Sequence, residues 1–477
     1  MTWPFDPVGA LSDWLRWGAA TQEVWMSAMG DARAIARQRE ARLQALLEAA
    51  AARSPVYRTR FADAPAGVAG FARLAPIGKV ELMGHFDEWV TDPEIRLDEV
   101  LPFIADPQRI GEQYLGRYTV WTSSGSTGSP GVFVQDARAL SIYDALSTLR
   151  CPARAMAASP LRSLAAGHRF AMIVALGGHF AGVVSWERLR SANPWVRSLT
   201  RSFSVLEPID SLVDALNAWD PQVIASYPTT LLLLAAEREA GRLRIAPRVA
   251  WSGGETLADA ERTEIERALG CQVVNGYGAS ECMQMAFDCG HGALHLNSDW
   301  VILEPIDSEG RPTEPGQASA SVLMTNLANQ VQPLVRYDLG DSITMRPGAC
   351  ACGSPFPMID VDGRRDDIVV LQTLNGQSVR LVPLALATVI EEGSGVHRFQ
   401  VIQTGRRALR IRFDPPSGEQ PEVVWQRLVA CLRAYLSRHG LGHVTIRRDA
   451  RAPQPDPVSG KLREVLGLRP ARSHRAG

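Results

Sequence analysis

Apolar positions follow two rhythms along this chain. Residues 11–52 repeat at helical spacing: Leu43, Leu46 and Leu47 share one face, with Arg and Glu on the others. This predicts one long helix packed on the body of the protein, with Trp14, Trp25 and Met29 among its packing residues. Residues 62–76 are rich in Ala, Gly and Pro and read as a connector. Short apolar runs at 118–121 and 132–134 have the length of strands. From 136 to 274 the rhythm alternates: helix 136–149, strand 170–176, helix 211–219, strand 223–226, helix 230–240, strand 249–251, helix 258–269 and strand 272–274. A strand apolar at every position is buried on both faces, and alternation with helices predicts a parallel α/β sheet. From 300 to 343 the pattern becomes β-type, with strands at 301–303, 320–325 and 334–337.

A charged break at 362–367 is followed by a compact α+β pattern. It comprises strand 368–371, helix 384–391, strands 399–403 and 409–413, helix 422–437 and strand 444–447. The expected fold class is therefore α/β. A large N-terminal domain, 1–362, carries parallel α/β sheets and a β-rich subdomain; a small α+β domain, 363–477, follows. No internal repeat at a solenoid period is present.

Composition narrows the partners. Of 477 residues, 46% are hydrophobic and 21% charged, enough for a large core and a second domain. Fifty basic residues face 51 acidic ones, so no global field favours nucleic acid or an anionic membrane. The most apolar stretch, 170–184, is broken by Gly177, Gly178 and His179, and predicts no membrane span. Asp6 and Asp13 occupy the place of a secretory basic region. Seven cysteines, an odd number spread over a long chain, suit a reducing cytoplasm with thiols free or bound to metal.

Candidate chemistry starts between the runs 118–121 and 132–134. There lies Thr122-Ser123-Ser124-Gly125-Ser126-Thr127-Gly128-Ser129-Pro130, with six hydroxyls and two glycines. Glycines let backbone amides approach an anion, and hydroxyls add small donors, so the loop reads as a phosphate cradle or as a plain hairpin. The Gly-Lys-Ser/Thr ending of a Walker A loop is absent. Further polar, Gly-rich segments, Ser252-Gly253-Gly254-Glu255 and Asn275-Gly276-Tyr277-Gly278, follow predicted strands, where open α/β sheets place ligands.

Six motifs then stand in order: the Ser/Thr/Gly loop, Ser-Gly-Gly-Glu, Asn-Gly-Tyr-Gly-Ala-Ser-Glu, Arg-Tyr-Asp-Leu-Gly-Asp, Gly-Arg-Arg-Asp-Asp and Ser-Gly-Lys. The series resembles the adenylate-forming acyl-CoA synthetase superfamily, and within it the phenylacetate–CoA ligase branch, from about residue 118 to 466. The resemblance implies ATP-dependent activation of a carboxylic acid to an acyl-adenylate. Transfer to a thiol, coenzyme A or carrier-protein phosphopantetheine, would follow. It also implies residue roles. Ser123, Ser124, Gly125, Ser126, Thr127 and Gly128 would hold the outgoing phosphates. Glu281 would ligate Mg²⁺, with Ala279 and Ser280 near the α-phosphate. Asp341 would accept hydrogen bonds from the ribose diol. Gly253, Gly254 and Glu255 would lie along adenine, in a nucleotide site that also takes in Asn275, Gly276 and Gly278. Tyr277 either stacks on the base or is a core tyrosine. Lys461 would swing in to the carboxylate and α-phosphate. Arg364 would contact the nucleotide, and Asp366 would be the hinge of a rotating small domain.

Two departures stand out: Ser129 where many relatives carry lysine, and Asn275 in place of a more acidic residue. For the acyl pocket, Tyr143, Tyr227, Pro228 and Met283 are the candidates, with Phe180 and Trp186 behind them. They suit an aryl or arylacetic acid. The branch also implies a structural zinc site. Cys289, His295, Cys350 and Cys352 are its expected ligands, with His291 as the alternative imidazole and free thiols as the plain reading. The competing class is a non-catalytic, zinc-stabilised nucleotide-binding module acting through protein partners.

Overall fold

Nine strands form one mixed sheet whose two halves obey different rules. In the computed structural model, which describes residues 7–62, 67–123, 130–151, 160–362, 367–454 and 462–468, the sheet order begins Ser342–Arg346, Met358–Asp362, Leu294–Leu296, Cys282–Asp288 and Gln272–Ala279. It continues with Val249–Ser252, Val223–Ser226, Phe170–Val174 and Thr200–Ser204. The half from Gln272–Ala279 to Thr200–Ser204 is parallel. Its strands are largely buried, and the helices Ile209–Trp219, Pro228–Glu239 and Asp259–Leu269 connect them, as the alternating rhythm predicts. The other half is antiparallel. Gln272–Ala279 is the seam, parallel to one neighbour and antiparallel to the other.

Trp25 and Met29, expected to pack on the body of the protein, are 54% and 72% exposed, and three expected elements need correcting. The run 11–52 is two helices, Pro7–Ala28 and Ala32–Arg53, because Asp31 caps the second, its carboxylate accepting the Ala34 N–H at 2.7 Å. The strand predicted at 272–274 runs on to Ala279, since the Asn-Gly-Tyr-Gly segment is laddered to Cys282–Asp288 rather than looped. Gly278 makes that pairing possible: a Cβ there would sit 2.0 Å from the Met283 carbonyl oxygen. Of the run 334–337, only Tyr337 enters a ladder, as the strand Tyr337–Asp338, because Arg336 is turned into the left-handed region with φ 50.

A hairpin, Thr119–Thr122 with Val132–Gln135, and a three-stranded sheet, Val301–Ile306, Ser321–Asn326 and Tyr337–Asp338, share the first hydrophobic core with the helix Ala32–Arg53. Trp89, Trp121 and Trp300 lie in that core with at most 1% of their surface exposed. Burial of each contributes roughly 2–3 kcal/mol. After residue 367 come the hairpin Val369–Gln372 with Ser378–Leu381, and a four-stranded sheet built from Arg398–Gly405, Ala408–Asp414, Thr445–Arg448 and Val465–Leu466. The helices Pro383–Ser394 and Pro421–Arg438 complete this part. One apolar cluster joins Ala171, Ile224 and Leu234 of the parallel half to Leu371, Leu386 and Leu428. The C-terminal elements therefore pack on the parallel half. Among the described residues, no helix is long and apolar enough to cross a membrane.

Candidate functional site

The motifs spread along the sequence meet at the seam strand. Gln272–Ala279 turns through Ser280 and Glu281 into Cys282–Asp288, and this turn is held from two sides. The Trp121 indole N–H donates to the Ser280 carbonyl at 2.8 Å, and the Ser280 hydroxyl reaches the Thr122 carbonyl at 3.4 Å. The Asn326 amide donates to the Glu281 carbonyl at 3.0 Å and to the Tyr143 hydroxyl at 2.8 Å. The turn therefore lies against the root of the Ser/Thr/Gly loop. That root is itself closed by reciprocal bonds: Ser123 N–H to the Gly131 carbonyl at 2.9 Å, and Gly131 N–H to the Ser123 hydroxyl at 3.0 Å. Ser124, Gly125, Ser126, Thr127 and Gly128 lie outside the described residues, as do Arg364, Asp366 and Lys461.

Glu281 is buried, 7% exposed, and its carboxylate accepts the Tyr337 hydroxyl at 2.9 Å. Burial pushes its pKa up; the field of Lys79 is the strongest influence in the other direction. A buried carboxylate with one neutral donor and a nearby cation is short of positive charge, which suits a hard cation such as Mg²⁺. The Tyr277 hydroxyl donates to Asp341 at 2.8 Å, so these two candidates form one unit. Burial and the Asp341 charge both raise the Tyr277 phenol.

Beside this unit, Ser252 at the end of Val249–Ser252 is paired in register with Asn275 inside Gln272–Ala279, and the Ser252 hydroxyl and the Asn275 carbonyl oxygen are buried without a hydrogen-bond partner among the described residues. A donor and an acceptor left open at paired positions of adjacent strands can serve the edge of a purine. Gly253 follows Ser252, and Gly254, with φ +80, lies under the Tyr227 ring, 3.1 Å from where a Cβ would be. Glu255 faces the other way, accepting from the Thr229 N–H at 3.1 Å and its hydroxyl at 2.8 Å in the first turn of Pro228–Glu239. The residues present thus fit a magnesium nucleotide.

The acyl-pocket candidates divide. Tyr227 and Pro228 stand at the strand end next to Gly254, with the Tyr227 hydroxyl accepting the Ala175 N–H at 3.4 Å. Tyr143 is enclosed in the first core behind the Glu281 turn, and Met283 packs against the same core. Phe180 pairs by its backbone with Thr122, and Trp186 packs on Phe170 with ring centroids 4.5 Å apart.

At the far end of Cys282–Asp288 the ligand atoms of Cys289, His295, Cys350 and Cys352 all lie within 4.8 Å of one another. The Cys289 and Cys350 sulfurs are 3.8 Å apart, matching the edge of about 3.8 Å that a tetrahedron with 2.3 Å zinc–sulfur bonds requires. His295 Nδ1 lies 2.7 Å from the Phe356 carbonyl, which fixes the proton there and leaves Nε2, 3.3 Å from Cys352 Sγ, as the ligating nitrogen. His291 is exposed and offers the cluster only its backbone N–H, 3.4 Å from Cys289 Sγ.

Two residues at the site were given no role by the motifs. Tyr337 lies within Arg-Tyr-Asp-Leu-Gly-Asp, but pattern matching does not show that its hydroxyl reaches Glu281. Lys79 lies outside every motif. The backbone before it is laced to Tyr337: Ile77 N–H to the Arg336 carbonyl at 3.1 Å, and Asp338 N–H to the Ile77 carbonyl at 2.9 Å.

No family model matches the chain. Among characterised proteins, the phenylacetate-coenzyme A ligase of Thermus thermophilus is 27% identical over 274 residues, covering 52% of this chain and 61% of that relative. The Escherichia coli phenylacetate-coenzyme A ligase is 30% identical over 135 residues, covering 27% of this chain and 30% of its own length. The chain thus matches only about three-fifths of the Thermus relative. Among solved structures, 2-hydroxyisobutyryl-CoA ligase in complex with 2-HIB-AMP and CoA aligns with a TM-score of 0.53 at 19% identity, over 92% of this chain and 91% of that one. Its postadenylation state aligns with a TM-score of 0.50. The fold is that of an adenylate-forming enzyme. In sequence the chain is similar, over part of its length, to phenylacetate-coenzyme A ligases.

Proposed function

We propose that this protein is an AMP-forming acid–thiol ligase working in the cytoplasm. A carboxylate oxygen of the acid attacks the α-phosphorus of ATP, the bond to pyrophosphate breaks, and an acyl-adenylate forms. A thiol then attacks the acyl carbon, AMP leaves, and the thiol proton is lost to solvent. The acid is aryl or arylacetic, with Tyr227 and Pro228 at the wall of its pocket. The thiol is that of coenzyme A, or alternatively of carrier-protein phosphopantetheine. Both reactants of the first step are anionic, so stabilisation of developing charge is the main demand. Glu281 holds Mg²⁺, which would neutralise the phosphates. Asp341, oriented by Tyr277, takes the ribose, and Ser252 with Asn275 takes the purine edge. Lys461 meets the acid and α-phosphate from a small domain, 363–477, that turns about Asp366. The Cys289, His295, Cys350 and Cys352 cluster holds structural zinc.

One observation carries this reading: the hydrogen bond from Trp121 to Ser280, which brings the Ser/Thr/Gly loop root onto the turn bearing Glu281. The test is ATP–pyrophosphate exchange with a panel of carboxylic acids. At least one arylacetic or aryl acid is expected to support exchange. In Lys461→Ala exchange drops by roughly 10²–10³-fold, the loss expected for one charge-stabilising group. Thioester formation from preformed acyl-adenylate stays within a few-fold. An enzyme that binds ATP yet exchanges pyrophosphate with no acid would be the non-catalytic module instead.

A further inference from the structure

The chain contains two lysines against 48 arginines. Where a general positive charge suffices, this sequence uses arginine. A lysine that persists in such a background marks a place needing a compact ammonium rather than a planar fork. One of the two is Lys461, already assigned to the reaction. The other is Lys79.

Its surroundings are specific. Lys79 opens the short helix Lys79–Gly84, and the residues before it are hydrogen-bonded to the backbone around Tyr337, the donor to Glu281. Its side chain runs past the exit of the Ser/Thr/Gly loop: the Lys79 Cδ is 3.1 Å from where a Gly131 Cβ would stand. Glycine at 131 leaves room for that stem, while the Gly131 N–H is spent on the Ser123 hydroxyl. The ammonium acts electrostatically on Glu281 more strongly than any other cation. The helix Lys79–Gly84 is fixed at its other end too, with Met83 sulfur 3.4 Å from the Val132 N–H at the start of the following strand. Lys79 is thus held between the metal-side carboxylate and the loop root.

We propose that Lys79 is a phosphate-binding residue: its ammonium engages the β- and γ-phosphate end of ATP beside Glu281. The inference rests on the nucleotide reading of this site. It divides the work of the two lysines. Lys461 arrives from the small domain at the α-phosphate, where the bond changes. Lys79 sits on the large domain at the part that leaves, and neutralises pyrophosphate as its charge grows.

The experiment compares binding of a non-hydrolysable ATP analogue and of AMP, each with Mg²⁺, by calorimetry on the full chain, for wild type, Lys79→Met and Lys79→Arg. Loss of a charge-assisted contact to phosphate weakens the analogue by about 10- to 100-fold in Lys79→Met. AMP binding stays within about twofold, because AMP lacks the β- and γ-phosphates. Lys79→Arg keeps charge but not fit, and is expected to fall between. Equal weakening of ATP analogue and AMP in Lys79→Met would show a merely structural role at Glu281 and overturn the proposal, as would no change in either. Wild-type protein that binds neither nucleotide would instead defeat the nucleotide reading itself.

Discussion

The strand Cys282–Asp288 begins next to one proposed cation site and ends next to another, and the two are built on opposite principles. At its start, Glu281 offers a single carboxylate, buried, with a hydroxyl donor and Lys79 for neighbours. At its end, Cys289 joins Cys350, Cys352 and His295 in a cluster with all four ligand atoms supplied by the chain. One carboxylate cannot satisfy a hard cation that wants six oxygens; phosphates and water must complete it, so occupancy follows the substrate. Three thiolates and an imidazole close a tetrahedron alone, which leaves no open position and makes the site part of the fold. On the proposed function, the same strand ties a site that is remade each turnover to one that never opens.

The largest expected effect breaks the closed end. Cys352→Ala removes one sulfur and leaves His295 Nε2 without its neighbour. Stoichiometric zinc, measured on purified protein, is expected to disappear. The apparent Tm should drop by roughly 5–10 °C as the bound state's contribution is lost. The residual folded enzyme should keep its adenylation rate within a few-fold, since Cys352 stands outside the nucleotide site. A variant that retains full zinc and Tm would show that the four groups are free thiols and an ordinary histidine.

Next in size, Glu281→Gln attacks the open end. The amide keeps the shape and the Tyr337 contact but cannot neutralise a cation. Pyrophosphate exchange is expected to fall by roughly 10²–10³-fold, with zinc content and Tm unchanged. Because burial raises the Glu281 pKa in the free site, the carboxylate needed for metal is lost as pH falls through that raised value. Wild-type exchange should therefore weaken on the acid side, and added Mg²⁺ should restore it. Zinc loss in Glu281→Gln would mean that the two ends are one site, contrary to the comparison.

The two ends also differ in how far the sequence exposes them. The four clustered residues, Cys289, His295, Cys350 and Cys352, are legible because Cys-x-Cys and a Cys followed by His are rare local patterns. The choice between His291 and His295 is not, since it depends on which ring finds a carbonyl to hold Nδ1. At the other end, Glu281 stands in a spelled motif, yet its partners Tyr337 and Lys79 are 56 residues downstream in one case and far upstream in the other. No local rhythm records such a meeting. The inner strands of the parallel half are legible, since double burial writes an apolar run; the edge strand Thr200–Ser204 is not, because its residues are mostly polar and Arg201 is exposed. The seam is not: Asn275, Gly276, Tyr277 and Gly278 look like a loop by composition, and only the ladder to Cys282–Asp288 makes them strand. The break at 29–31 went unread for the opposite reason, a helical rhythm that outlasts the helix until Asp31 takes the cap.

The smallest effect sharpens the open end from its nucleoside side. In Tyr277→Phe the ring stays packed and only the hydroxyl that donates to Asp341 at 2.8 Å is lost. Asp341 keeps its charge but loses one constraint on its direction, worth about 1 kcal/mol for a single hydrogen bond. The KM for ATP should rise by roughly fivefold, with kcat little changed, because the ribose is gripped equally in ground and transition states. AMP affinity should fall by the same factor as that of an ATP analogue. That equality separates Tyr277 from Lys79, whose loss is expected to touch the triphosphate alone. If Tyr277→Phe instead lowered kcat and left KM in place, the Tyr277–Asp341 unit would belong to the reacting phosphate rather than the ribose. The division of the open end into a nucleoside half and a phosphate half would then have to be redrawn.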